Sequence, residues 1–203
     1  MSNSIILSGK DVSRSVYQSL ENRIAALQTK NVTPGLAAVL VGENPASKVY
    51  VRSKSKKFNQ LNLHSETFFL PVDIPEGEVL DLVQRLNEDP AFHGILIQLP
   101  LPSQINSNKI LWAIEGKKDV DGFHPENVGL LAIGEPRFIP CTPKGIMRIL
   151  TYYEIDLPGK HVVVVGRSNI VGRPISILTS LKQSGANGTT TLCHSRTPNI
   201  SDF

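Results

Sequence analysis

Four short, almost uninterrupted apolar runs limit what this chain can fold into more than any other feature. "GLAAVLVG" (35–42), "SETFFLPV" (65–72), "GILIQLPLP" (94–102) and "HVVVVG" (161–166) are brief and mostly apolar. That is the pattern of strands covered on both faces of a parallel sheet. Parallel neighbours need long crossovers, usually helices, and the intervening segments supply them. "VSRSVYQSLENRIAALQ" sets Val12, Val16, Leu20, Ile24 and Leu27 along one stripe of an amphipathic helix. Further helices are predicted near 45–61, 76–88, 104–115, 143–154 and 170–183. The order is α/β. In "FIPCTPKG", Pro140 and Pro143 interrupt the chain before a second β-α unit, which predicts two domains, 1–142 and 143–203.

Composition excludes several classes. The 203 residues carry 21 Lys and Arg against 18 Asp and Glu, a formal net charge of +3. That balance argues against a nucleic-acid or membrane surface built on bulk charge. No apolar run approaches the roughly 20 residues of a spanning helix. Cys141 and Cys193 are far apart and lack metal-ligand spacing, so neither a disulfide framework nor a zinc site is expected. A cytoplasmic protein with reduced thiols follows as the expectation.

Cationic function must therefore be local, and "KVYVRSKSKKFNQL" (48–61) is where it concentrates. Asn44 is a natural N-cap and Pro45 a natural first helical residue. At about 100° per residue, Ser47, Tyr50, Lys54, Lys57, Phe58 and Leu61 share one face, with Lys48, Arg52 and Asn59 opposite. Lys54 thus sits with the apolar anchors. A lysine there can snorkel from the rim of a core stripe. Alternatively, burial lowers its pKa toward neutrality and lets it move protons beside Tyr50.

Two further segments offer partners. Gln98 ends the run "GILIQLPLP", and ligands of open α/β sheets gather at the carboxyl ends of strands. In "KKDVDGFHPENVG", Asp119 and Asp121 alternate before Gly122. They fit an Asx-type turn, or the acidic pair of a metal-dependent nucleotide-sugar transferase. An EF-hand loop does not fit, because Gly122 follows Asp121 at once.

The second half carries a phosphate-binding pattern. "HVVVVGRSNIVGRP" reads as strand, glycine turn and helix start, which aims backbone N–H groups at an anion or simply makes a sharp connection. Ser168 stands where GxGxxG has its second glycine. At the end of the next strand, "TTTLCHSRT", an NAD site places an acid on the ribose. His194, Ser195 and Arg196 stand there instead, which favours a 2′-phosphate.

"VGENPASKVYVRSKSK", "GILIQLPLP", "KDVDGFHPENVG", "PCTPKG" and "GRSNIVGRP" together resemble, in order and spacing, the FolD family of bifunctional methylenetetrahydrofolate dehydrogenases and methenyltetrahydrofolate cyclohydrolases. The resemblance covers nearly the whole chain. It implies an N-terminal three-layer α/β catalytic domain that binds tetrahydrofolate one-carbon derivatives, followed by a partial Rossmann-type NADP-binding domain. It further implies that Lys54 transfers the proton of the cyclohydrolase step, that Tyr50 neighbours it and stacks on the folate, and that Gln98 helps keep it neutral. Asp121 is expected to hold the pterin, Ser47 to line the substrate site, and Gly166, Arg167, Ser168, Ser195 and Arg196 to hold NADP. The four catalytic residues are expected to converge at a cleft between the domains, with no metal required. A homodimer and a place in one-carbon metabolism and purine biosynthesis are also implied. A non-catalytic folate-binding module is the remaining alternative.

Only two strands, "HVVVVG" and "TTTLCHSR", follow "FIPCTPKG". Against a fold of two βαβαβ halves, that count predicts an incomplete cofactor domain. Weak NADP binding, an exposed apolar sheet edge and a tendency to associate are then expected.

Overall fold

The structure, a computed structural model, describes residues 4–203 and divides into two compact units. One is Glu21–Asn127; the other is Val128–Phe203 with the described residues up to Leu20.

Helix α1 (Gly9–Gln28) leads into strand β1 (Gly35–Val41), helix α2 (Pro45–Gln60), strand β2 (His64–Leu70), helix α3 (Glu76–Glu88), strand β3 (Gly94–Ile97), and helices α4 (Ser107–Ala113) and α5 (Pro125–Ala132). All three strands are parallel, in the order β2-β1-β3. Strand β1 is central and buried at every residue. Its alternate side chains feed two cores. Ala37, Val39 and Val41 join Val79, Leu82, Val83 and Leu86 of α3 and Ile110 and Leu111 of α4. Leu36 and Ala38 join Leu96 of β3 with Val51 and Phe58 of α2. Sheet and helices thus form three layers. Each buried aliphatic side chain contributes about 1.5–3 kcal/mol.

Two strand expectations need correction. Strand β2 is not covered on both faces: its residues alternate between exposed and half-buried, and Phe69 is 61% exposed. Both β2 and β3 have one strand neighbour, but the loop through Asp119 covers the free side of β3, which is buried throughout, whereas β2 has no such cover among the described residues. The run "HVVVV" also fails the expectation. It forms strand β4 (His161–Val165), paired in parallel only with β5 (Thr189–Cys193) among the described residues. Its central valines are half-buried, and Val165 is 67% exposed.

The other unit holds helix α6 (Cys141–Tyr152), β4, helix α7 (Gly172–Ser180) and β5. Pro140 caps α6 and Pro143 lies in its first turn, so the helix begins before Pro143. Helix α4 is shorter than expected, and α5 was not foreseen. No helix among the described residues is long and apolar enough to cross a membrane.

Candidate active site

The site begins where β1 hands the chain to α2. The Asn44 side chain accepts from the Ser47 backbone N–H at 3.0 Å, and Pro45 occupies the first turn. The cap fixes which residues α2 turns inward. Ser47 and Val51 are buried, Lys54 and Phe58 half-buried, and Tyr50 is 59% exposed. Val51, absent from the expected face, is the true anchor. The stripe is centred near it, which leaves Lys54 on the flank and Tyr50 on the rim.

Lys54 Nζ lies 4.5 Å from the centroid of the Tyr50 ring, one turn away. The aromatic face attracts the ammonium and orients it. The third member comes from the loop after α4. Ile95 N–H donates to Lys118 O at 2.8 Å, and Ile95 bridges to Asp119 in parallel sense, so this loop runs beside β3 as a short extension of the sheet. The chain turns at once after this bridge, with Gly122 N–H donating to Asp119 O at 3.3 Å, and Asp121 sits in that turn. Burial pushes the half-buried Asp121 carboxyl up from the ordinary 3.8 to about 6; the Lys54 ammonium opposes that rise and the Asp119 charge adds to it.

Gln98 directly follows the last residue of β3. Its N–H donates to Val39 O at 2.9 Å and its Nε2 to Leu99 O at 2.9 Å. Its Oε1 is buried without a hydrogen-bond partner in the structure. Such an acceptor is a group prepared for a proton or ligand, because leaving it unpaired costs about 1–3 kcal/mol.

Asp119 behaves differently from its neighbour. It is 1% exposed, and its Oδ2 accepts from His124 N–H and Asn127 Nδ2, both at 2.8 Å. It pins its own loop instead of pairing with Asp121 in an open acidic site. The described residues hold no cluster of three or more His, Cys, Asp or Glu suited to a metal.

Gly166, Arg167, Ser168, Ser195 and Arg196 all lie in the other unit, at the carboxyl ends of β4 and β5. Gly166 has φ +126°, a conformation that side chains rarely adopt, and its N–H donates to Cys193 O at 2.8 Å. Ser168 Oγ accepts from Val171 and Gly172 N–H at 3.1 and 3.3 Å, which closes the turn leading into α7. Arg167, Ser195 and Arg196 are exposed. Sequence reasoning missed Gly172. A Cβ there would meet Gly166 O at 2.0 Å and Gly166 C at 2.5 Å, so the turn closes only over a glycine. The spacing of "GRSNIVG" carried that signal. A cradle of this shape fits a dinucleotide, with exposed hydroxyl and guanidinium groups where an acid would mark a free ribose.

Residues 7–121 match the model of the tetrahydrofolate dehydrogenase/cyclohydrolase catalytic domain, and residues 140–203 match that family's NAD(P)-binding domain. The chain belongs to the tetrahydrofolate dehydrogenase/cyclohydrolase family. It is 52% identical over 195 residues to the bifunctional protein FolD of Geotalea uraniireducens, covering 96% of this chain and 68% of that one. The crystal structure of the bifunctional FolD enzyme of Campylobacter jejuni superposes with a TM-score of 0.93 at 43% identity, over 98% of this chain and 70% of that one. The FolD of Trypanosoma brucei, solved with NADP cofactor and an inhibitor, gives 0.92 at 34% identity over 100% and 69%. The chain spans about two thirds of the length of the curated relatives it matches. As a tetrahydrofolate dehydrogenase/cyclohydrolase it is an oxidoreductase and hydrolase of folate one-carbon metabolism, which leaves the nucleotide-sugar transferase reading without support.

Proposed function

We propose that this chain oxidises 5,10-methylenetetrahydrofolate to the 5,10-methenyl cation with NADP+ and hydrolyses that cation to 10-formyltetrahydrofolate. The observation that carries the reading is the Lys54 ammonium held over the Tyr50 ring within electrostatic reach of the half-buried Asp121 carboxyl, in a segment matching the family's catalytic domain. The methenyl carbon is electrophilic without metal activation, so the protein needs to orient the folate, admit one water and move protons.

Each residue has a part that its surroundings favour. Asp121 accepts hydrogen bonds from the pterin N–H edge, and a carboxyl already raised toward neutrality can exchange a proton there. Tyr50 is exposed enough to stack on the folate while its face holds Lys54. In its neutral amine form Lys54 takes a proton from the attacking water as its oxygen bonds to the methenyl carbon and gives it to the departing ring nitrogen as the C–N bond opens, while the second water proton leaves to solvent as the formyl C=O forms. The unpartnered Gln98 Oε1 is the acceptor that orients the amine, and Ser47 lines the entrance to α2. NADP, when bound, supplies the hydride acceptor. Gly166, Arg167 and Ser168 would hold its phosphates, and Ser195 and Arg196 would meet the 2′-phosphate.

The folate-binding catalytic domain is assigned to residues 1–142 and the cofactor domain to 143–203. A homodimer in the cytoplasm serving purine biosynthesis is consistent with the family resemblance and with two free cysteines. Nucleic acid and membrane have no part in this reading.

Lys54→Met tests it. The variant is expected to lose hydrolysis of 5,10-methenyltetrahydrofolate, followed by loss of its absorbance, while still binding tetrahydrofolate. Hydrolysis at a near wild-type rate would remove Lys54 from the mechanism, and with it the reading of the site.

A further inference from the structure

The loop between α4 and α5 is held by more polar bonds than a turn of its length requires, and they converge on Asp119. Its carboxylate is buried, and both donors to Oδ2, His124 N–H and Asn127 Nδ2, are neutral. Asn127 is fully buried and uses the same Nδ2 to donate to Gly116 O at 2.8 Å, so one amide joins the start of the loop to its end. Behind it, the buried Lys118 Nζ donates to Leu86 O at 2.9 Å and Asp89 O at 2.8 Å, tying the loop to the end of α3. The backbone bond from Ile95 ties it to β3. Asp121 rides at the apex of this frame, two residues beyond the clasped carboxylate.

A buried carboxylate is expensive to keep and is usually matched by a cation. Here two neutral donors hold it in place, and its charge acts on Asp121. We infer that Asp119 is a positioning residue of the folate site, which fixes the loop carrying Asp121 through its clasp on His124 N–H and Asn127 Nδ2.

This rests on the folate role proposed for Asp121 and adds a regulatory consequence. The charged groups acting on Asp121 are Lys54 from α2 and Asp119 from its own loop, with opposite effects. Burial of the Asp121 carboxyl acts most strongly and raises its midpoint, the Lys54 ammonium opposes that rise, and the Asp119 charge adds a smaller one. With burial and Asp119 together outweighing the ammonium, Asp121 holds its proton until the pH nears neutrality and accepts the pterin N–H groups only above that point. Folate affinity is therefore predicted to fall as pH drops through the Asp121 midpoint, and Asp119 helps set that threshold.

Asp119→Asn is the decisive variant, because the amide oxygen can still accept from His124 and Asn127 while the charge is gone. Two readings are taken on the whole chain: the Asp121 midpoint by carbon-13 NMR in the free protein, and tetrahydrofolate affinity by calorimetry across the same pH range. Both the midpoint and the pH at which affinity collapses are expected to move to lower pH together. Asp119→Glu, which restores the charge, is expected to return them toward wild type. Asn127→Leu leaves both carboxylates intact but loosens the frame, and should weaken affinity about tenfold. A purely structural Asp119 would change the melting temperature without moving either midpoint. Unmoved midpoints in Asp119→Asn, or unchanged affinity in Asn127→Leu, would overturn the inference. Asp121→Ala separates the two claims. If it leaves affinity untouched, the folate role of Asp121 fails; if it weakens affinity while Asp119→Asn shifts nothing, only the role of Asp119 fails.

Discussion

Replacing Asp121 by Asn should stabilise the free protein, and the gain should depend on pH in a defined direction. The folded carboxyl has its midpoint raised from 3.8 to about 6, so the folded chain binds this proton more tightly than the unfolded chain does. Stability therefore falls as pH rises from about 4 through 6 and stays reduced above that, the reverse of a salt-bridged aspartate. A difference of about two pH units corresponds to ~3 kcal/mol at about 1.36 kcal/mol per unit. Water reaching the half-buried side chain reduces this to ~1–3 kcal/mol. Asn keeps the shape and carries no charge, so the variant should match wild type near pH 4 and exceed it by that amount near pH 8. Urea unfolding followed by Trp112 is a direct assay, since the only tryptophan lies in the same compact unit as Asp121. Wild-type and variant midpoints that run parallel from pH 4 to pH 8 would refute the reasoning. The same variant should bind tetrahydrofolate more weakly, because the charge that destabilises the empty site is the one that meets the pterin.

Other perturbations follow from the geometry. Gly172→Ala drives a methyl into the Gly166 carbonyl, so unfolding measurements should show a loss of about 1–3 kcal/mol or more, with weaker NADP binding in calorimetry. Arg196→Ala should lower NADP+ affinity about 10–100-fold, as removal of a charged hydrogen bond does, while NAD+ affinity changes little; equal losses for both would place Arg196 away from the 2′-phosphate. Lys118→Met removes the ammonium that Leu86 O and Asp89 O accept from, leaving Asp89 O only the Phe92 N–H, and should lower stability by about 1–3 kcal/mol in chemical denaturation.

Much of this molecule is legible one segment at a time. Pro45 after Asn44 sets the start of α2, and α3 runs over the predicted 76–88, because capping and periodicity act within a few residues. The central strand reads as buried because both of its faces are apolar. Sequence reasoning placed Lys54 with the inward residues of α2 and Gln98 at a strand end. It put the centre of the α2 stripe too near Tyr50, since an ideal wheel gives relative angles and not the angle at which a sheet meets the helix.

What the sequence by itself determined was the α/β class, the family, most helices and the residue types available for catalysis and cofactor binding. Tertiary structure alone decided that β2 is an edge strand with Phe69 exposed, that Val51 anchors α2, and that Gly172 closes the turn over Gly166. It also separated two aspartates that look equivalent in "KDVDG". Asp119 is clasped by Asn127 of the unforeseen α5, whereas Asp121 is left beside Lys54 with its carboxyl raised. Caps and periodicity are local properties of the chain. Burial and electrostatic environment are sums over neighbours that meet only when distant segments pack, so two identical side chains two residues apart can take opposite roles.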